Sequence, residues 1–261
     1  MLAFDVATML MKFFRRALVL TAILAGNVLL AAMFTTTLEP ATVAAWNSYI
    51  DRFERAGLAG QPMLETRKLV LSDLNPSGSG VPSGYVHHWI GAMRLANVPV
   101  EKVRAVIGDY GHWQQIYAPD IRFISATHID GGSEYDLRMV SEQTEGPMHF
   151  AFDMHFRVGF EQSGDFQLAE SRSYLIRESG GGRAPYTDLL PEGRDHGILW
   201  RLNTYWRLKQ DGTATYAECQ VISLSRRPIL GSSSLVKARA RESLKATMTA
   251  TARAAGRDKL D

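Results

Sequence analysis

Seven histidines and one cysteine are the side chains here with the readiest chemistry, and their spacing argues against most of it. His87 and His88 are adjacent in an alternating segment, so they point to opposite faces and cannot share a metal. His149 and His155 fall on one face, but six residues of strand separate them by roughly 20 Å. Asp195-His196 has the composition of the acid–base half of a catalytic triad. No Gly-x-Ser-x-Gly elbow accompanies it, and Cys219 lies on the strand face away from Glu218. Asp195 is therefore expected to cap a loop, Cys219 to be a buried inert thiol, and no metal or cofactor is expected.

The aromatic residues are ordered more strictly. Met148, Phe150, Phe152, Met154, Phe156 and Val158 alternate with His149, Ala151, Asp153, His155 and Arg157, which predicts a strand with one apolar face. Gly197 to Arg226 reads as one long hairpin in which Ile198, Trp200, Leu202, Thr204, Trp206 and Leu208 share a face. Asp211-Gly212 is predicted as its turn, placing Trp206 opposite Ala217, Thr204 opposite Cys219, Leu202 opposite Val221 and Trp200 opposite Ser223. The other face pairs Arg207 with Tyr216, Tyr205 with Glu218 and Asn203 with Gln220, and reads as wet. Such rows are either a filled core or the lining of a concave apolar pocket.

Something must position these rows. Residues 1–33 have a basic start (Lys12, Arg15, Arg16) and an uncharged apolar run from Ala17 to Ala32 ending in small residues, the layout of a secretory signal. The expectation is an exported protein, periplasmic or secreted; the alternative is anchoring to the inner membrane by an uncleaved leader. The leader holds three of the 29 basic residues and one of the 27 acidic ones (Asp5), so the rest of the chain is formally neutral. A neutral body without basic runs lacks the footprint of a nucleic-acid binder.

Residues 34–83 read as an N-terminal helix and linker. The helix opens at Glu39-Pro40, carries Val43, Trp46, Tyr49, Ile50 and Phe53 on one side, and stops at Gly57. Beyond a Gly/Pro/Ser-rich stretch at 72–84, strands are predicted at Tyr85 to Ala96, Arg122 to Ile129, Tyr135 to Ser141 and Phe166 to Arg177, with a short helix carrying Val100, Val103, Ile107 and Tyr110. A turn is placed at Asp130-Gly131-Gly132, Pro228 and Gly231 end the sheet, and residues 179–197 form a long Gly/Pro-rich loop that is either a plain connection or a gate to a cavity. A final helix from Leu235 to Ala255, capped by Ser232 to Ser234, presents Val236, Ala240, Leu244, Met248, Thr251 and Ala255 inward. Its basic side is expected to be solvated, with weak attraction to a membrane surface as the alternative reading.

This order of elements, with Asn97-Val98-Pro99-Val100-Glu101-Lys102-Val103 leading to Asp109-Tyr110-Gly111-His112-Trp113, resembles the START-like (helix-grip, SRPBCC, polyketide cyclase-like) superfamily. The strings His87-His88-Trp89, Ile116-Tyr117-Ala118-Pro119, Asp195 through Trp206 and Arg241-Glu242-Ser243-Leu244 resemble exported bacterial members of it. The resemblance covers 84–256, leaving 257–261 as a tail. It implies an α+β fold, a seven-stranded antiparallel sheet wrapped around a long C-terminal helix, with a cavity between them. It does not imply a substrate, because such folds host binders and enzymes alike; the expected role is non-catalytic binding or transport of a hydrophobic small molecule, such as a lipid or isoprenoid, by a monomer. Phe150, Phe152, Met154, Phe156, Trp200, Leu202, Trp206, Val221, Leu244 and Met248 are the expected ligand-binding residues. Two alternatives remain. A polyketide cyclase or dehydratase would bring two or more of His87, His88, Asp153, Glu218 and Arg201 together in the cavity, and a scaffold protein would have its core filled.

Overall fold

The computed structural model describes residues 35–256 apart from 65, 67, 79, 130–132, 146–147 and 228–232. The leader, the turn at Asp130-Gly131-Gly132, Pro228, Gly231, Ser232 and the tail lie outside the described residues.

The chain forms an α+β helix-grip fold. Among the described residues ten strands run: β1 (Thr36–Thr37), β2 (Val70–Asp73), β3 (Gly84–Leu95), β4 (Ile121–His128), β5 (Glu134–Glu145), β6 (Met148–Ser163), β7 (Phe166–Glu178), β8 (Arg194–Asp195), β9 (Arg201–Asp211) and β10 (Ala214–Arg226). The helices are α1 (Pro40–Arg55), α2 (Val100–Gly108), a one-turn α3 (Trp113–Ile116) and α4 (Ser233–Ala254). Eight strands make one antiparallel sheet in the order β2-β3-β10-β9-β7-β6-β5-β4, while β1 pairs with β8. That is one strand more than the resemblance implies. The extra strand, β2, comes from the segment expected as linker, where Val70 to Asp73 pair with Ala92 to Trp89.

The sheet has a face toward α4 and a face toward α1, and both are covered. On the inner face Leu244, Met248 and Ala252 of α4, and Ala255 just beyond it, pack with Trp89, Met93, Val103, Ile107, Trp206 and Cys219. Gly91 fixes how closely α4 approaches β3, since a Cβ there would lie 2.2 Å from Met248 Sδ and 3.4 Å from a Leu244 methyl. On the outer face Trp46 and Ile50 of α1 pack with Val86, Tyr205, Ile222 and Leu224. The amphipathic side of α1 thus finds its partner on the back of the main hairpin.

That hairpin differs from expectation in two ways. Its turn is Gly212-Thr213, with Asp211 paired to Ala214 and Gly212 at φ +61°, the left-handed first position of a Gly-X turn. Trp206 therefore faces Cys219, Thr204 faces Val221 and Leu202 faces Ser223, a slip of two residues that leaves every side chain on its expected face. The outer face, expected wet, is dry. Asn203, Tyr205, Arg207, Glu218 and Gln220 are all buried beneath α1 and residues 58–62. Their polar groups satisfy one another instead of meeting water: Tyr205 Oη donates to Glu54 at 2.6 Å and Gln220 Nε2 donates to Gln61 Oε1 at 2.8 Å.

Candidate functional site

Strand alternation brings a set of inward side chains to one face, and a helix with few large residues cannot fill the space above them. Where α4 leans on β3 and α2, Leu244 and Met248 close the core. Further along, α4 presents Ala240, Ser243, Thr247 and Ala250, and the sheet opposite presents Ala169, Ser171, Thr204 and Val221. Small residues meet small residues, and a cavity of about 470 Å³ remains. Leu202, Thr204, Val221 and Ser223 lie on β9 and β10, inside the sheet, yet are only half-buried. A filled core would leave such positions with no exposure.

The wall over β6 and β5 is apolar: Phe152, Met154 and Phe156 are buried with Leu137 and Ile176, and Phe150 lies half-buried beside them. Ile107, Tyr110, Trp113 and Tyr117 line the side below α2 and α3. The rim includes Gly197, Ile198 and Leu199 before β9, Arg226 at the end of β10, and Val236 and Arg239 near the start of α4.

Of the residues expected to bind ligand, Phe150, Phe152, Met154, Phe156, Leu202, Trp206, Val221 and Leu244 line this cavity. Trp200 and Met248 do not. Trp200 itself sits in a bend just before β9, so the strand's alternation does not extend back to it. It joins the outer cluster with Trp46, and its Nε1–H donates to Asp195 Oδ1 at 2.9 Å. Met248 is fully buried over Gly91.

The ionisable residues do not converge. His88 is on the outer face, with Nδ1 3.0 Å from Tyr49 Oη and Nε2 3.0 Å from Gln220 Oε1. Asp153 accepts from Arg138 Nε at 2.9 Å, Glu218 pairs with Arg207, and Arg201 pairs with Glu192 at 3.1 Å. Of the five candidates only His87 lines the cavity. Its Nε2 lies 3.1 Å from Ser225 Oγ, whose own proton is donated to the Arg226 carbonyl at 3.0 Å. Nε2 is therefore the protonated nitrogen and Nδ1 carries a bare lone pair. Burial holds this imidazole neutral by lowering its pKa to about 4. Burial also raises both phenols of the lining, Tyr110 well above the usual tyrosine range and Tyr117 to about 12. Neither is an acid at neutral pH.

Asp195 acts as a cap, its Oδ1 also accepting from the Gly197 N–H at 2.7 Å, and His196 is held by Glu178 at 2.8 Å. The loop after β7 is tied down by Ser179, which donates to Asp188 at 2.6 Å, and by Tyr186 against Glu142. Of residues 179–197 only Gly197 lines the cavity. Among the described residues, no three His, Cys, Asp or Glu side chains stand close enough to hold a metal, and no helix is long and apolar enough to cross a membrane.

Sequence reasoning missed the inward hydroxyls. Ser171, Thr204 and Ser223 line the cavity, and none hydrogen-bonds through its side chain to any described residue. Their positions in the alternating rows were the available signal.

No family model and no curated protein matches the chain. Among solved structures it is similar to a STAR-related lipid transfer protein of Xanthomonas axonopodis, 15% identical over 73% of this chain and 99% of that one, with a TM-score of 0.46. Human STARD10 is 10% identical over 84% of this chain and 81% of its own, at 0.48. The Zhui aromatase/cyclase of Streptomyces is 16% identical over 66% of this chain and 92% of its own, at 0.42. Identities this low leave the reading of function to the chain's own cavity.

Proposed function

We propose that this protein binds and carries a hydrophobic small molecule, non-covalently, in the space between sheet and α4, and that it does so outside the cytoplasm. The observation that carries the reading is the half-burial of Leu202, Thr204 and Val221 within the sheet, beneath a helix made of alanine, serine and threonine at that level. A volume of about 470 Å³ lies within the range of small-molecule sites, which are mainly apolar with few polar groups. Removing apolar ligand surface from water supplies the driving force, about 25 cal/mol per Å² before ordering costs. Catalysis would need ionisable side chains converging on the ligand, and of His87, His88, Asp153, Glu218 and Arg201 only His87 lines the cavity. The basic, then apolar, then small-residue leader supports export.

The test is uptake of Nile red by the detergent-free protein. The expected result is a saturable fluorescence rise at one dye per chain that Trp206→Glu removes while the far-ultraviolet spectrum stays unchanged. Dye binding that survives this substitution, or no binding at all, contradicts the reading.

A further inference from the structure

Besides Ser243 and Thr247 of α4, the Tyr110 phenol and the Arg226 and Arg239 side chains of the rim, the sheet side of the cavity carries one polar band. His87 on β3 stands opposite Ser223 on β10, and Thr204 on β9 stands opposite Ser171 on β7. Ser223 pairs with Leu202 and Val221 with Thr204, so Ser223 and Thr204 are diagonal neighbours on the same face. The four side chains therefore run obliquely across four adjacent strands, β3, β10, β9 and β7, a span of about 14 Å at the usual strand spacing.

Three features make the band unusual for a core. Ser171, Thr204 and Ser223 are half-buried with no side-chain hydrogen bond to any described residue. His87 is 5% exposed, and its Nδ1 lone pair has no partner. Trp89 lies two residues along the same face, opposite Val221; it is 8% exposed, and its Nε1–H is also unpartnered. Buried polar groups are nearly always paired, so two unpaired buried nitrogens beside three half-buried hydroxyls ask for a partner that enters from outside. A saturated chain laid over them would take their water and return nothing. A charged group laid on the band itself fits no better, because the band contains hydroxyls, an indole and a neutral imidazole, while the cationic Arg226 and Arg239 stand at the rim.

We infer that the ligand is an uncharged molecule carrying hydroxyl or carbonyl oxygens at more than one point along its length, laid across His87, Ser223, Thr204 and Ser171. Hydroxyls can both donate to the His87 lone pair and accept from Trp89, while carbonyls can only accept. The inference rests on the carrier reading above and adds the class of ligand to it.

The test compares androstanediol with androstane, which share one rigid skeleton with and without hydroxyls, in displacing Nile red from the folded protein. The diol is expected to bind at least about tenfold more tightly, the effect of one or two net hydrogen bonds. In Ser171→Ala/Thr204→Val/Ser223→Ala the two should come within about threefold, chiefly through weaker diol binding. Equal affinities in the unaltered protein overturn the inference without the need for a variant. So does a preference that the triple substitution leaves intact, or failure of both steroids to displace bound dye. Failure of the dye itself to bind overturns the carrier reading instead, and the inference with it.

Discussion

Arg207 on β9 and Glu218 on β10 stand directly opposite each other, with Nη2 2.8 Å from Oε2 and each side chain 1% exposed. The guanidinium also donates to the carbonyls of Leu58, Gln61 and Pro62, and the carboxylate accepts from Tyr216 at 2.6 Å. One ion pair thus clamps the chain after α1 to the outer face of the sheet. Removing one partner strands the other in a dry site, so Glu218→Ala should cost about 3–5 kcal/mol in urea unfolding. Arg207→Met/Glu218→Met should cost clearly less than the two single changes added together.

The N-terminal helix is equally bound into the fold. Trp46 and Ile50 are 4% and 7% exposed against Val86, Ile222 and Leu224. Trp46→Ala should lose about 3–5 kcal/mol, the usual result of emptying a large core site. A chain beginning at Gly84 would lack this cover and the carbonyls that hold Arg207, and should show no cooperative thermal transition in calorimetry.

Acid should weaken the fold through His87. Its folded pKa, about 4, lies below the 6.5 of an unfolded chain, because burial disfavours the charged imidazole. Between these values the unfolded state binds the extra proton, so stability is full above pH 6.5 and falls as pH drops toward 4. The loss reaches about 3 kcal/mol at about 1.4 per pH unit. His88 is lowered too, again by burial, and adds in the same direction. His87→Gln should flatten the curve measured by urea unfolding between pH 7 and pH 4; an unchanged slope would refute the assignment.

Gly91 sets the height of α4 over the sheet. Gly91→Ala drives a methyl to 2.2 Å from Met248 Sδ in a fully buried site, which should cost about 1–3 kcal/mol. Met248→Ala in the same chain should recover part of that. If Gly91→Ala unfolds at the same denaturant concentration as the parent, the helix is not seated there.

Much of this was legible in the residues. Met148 through Val158 announces its inner face by strict alternation, and the row Val236, Ala240, Leu244, Met248 marks the inward side of α4. The hairpin turn was misplaced because Asp-Gly is the stronger local signal. Gly212-Thr213 won, and a slip of two preserved the faces. The outer face misled for a different reason. Arg207, Glu218 and Gln220 have the types of a wet surface, and only docking of α1 and residues 58–62 buries them. Periodicity reports that α1 needs a partner and cannot say which. Trp200 was lost to the bend before β9, and β2 was hidden beside the glycine- and proline-rich stretch that follows it.

Native mass spectrometry of protein purified without detergent, followed by organic extraction, tests the central claim most directly. The expected result is a reproducible adduct of one small molecule per chain, recovered in the organic phase and absent from folded Trp206→Glu. Protein that is consistently bare, and stays bare after incubation with long-chain lipids and with androstanediol, would contradict it.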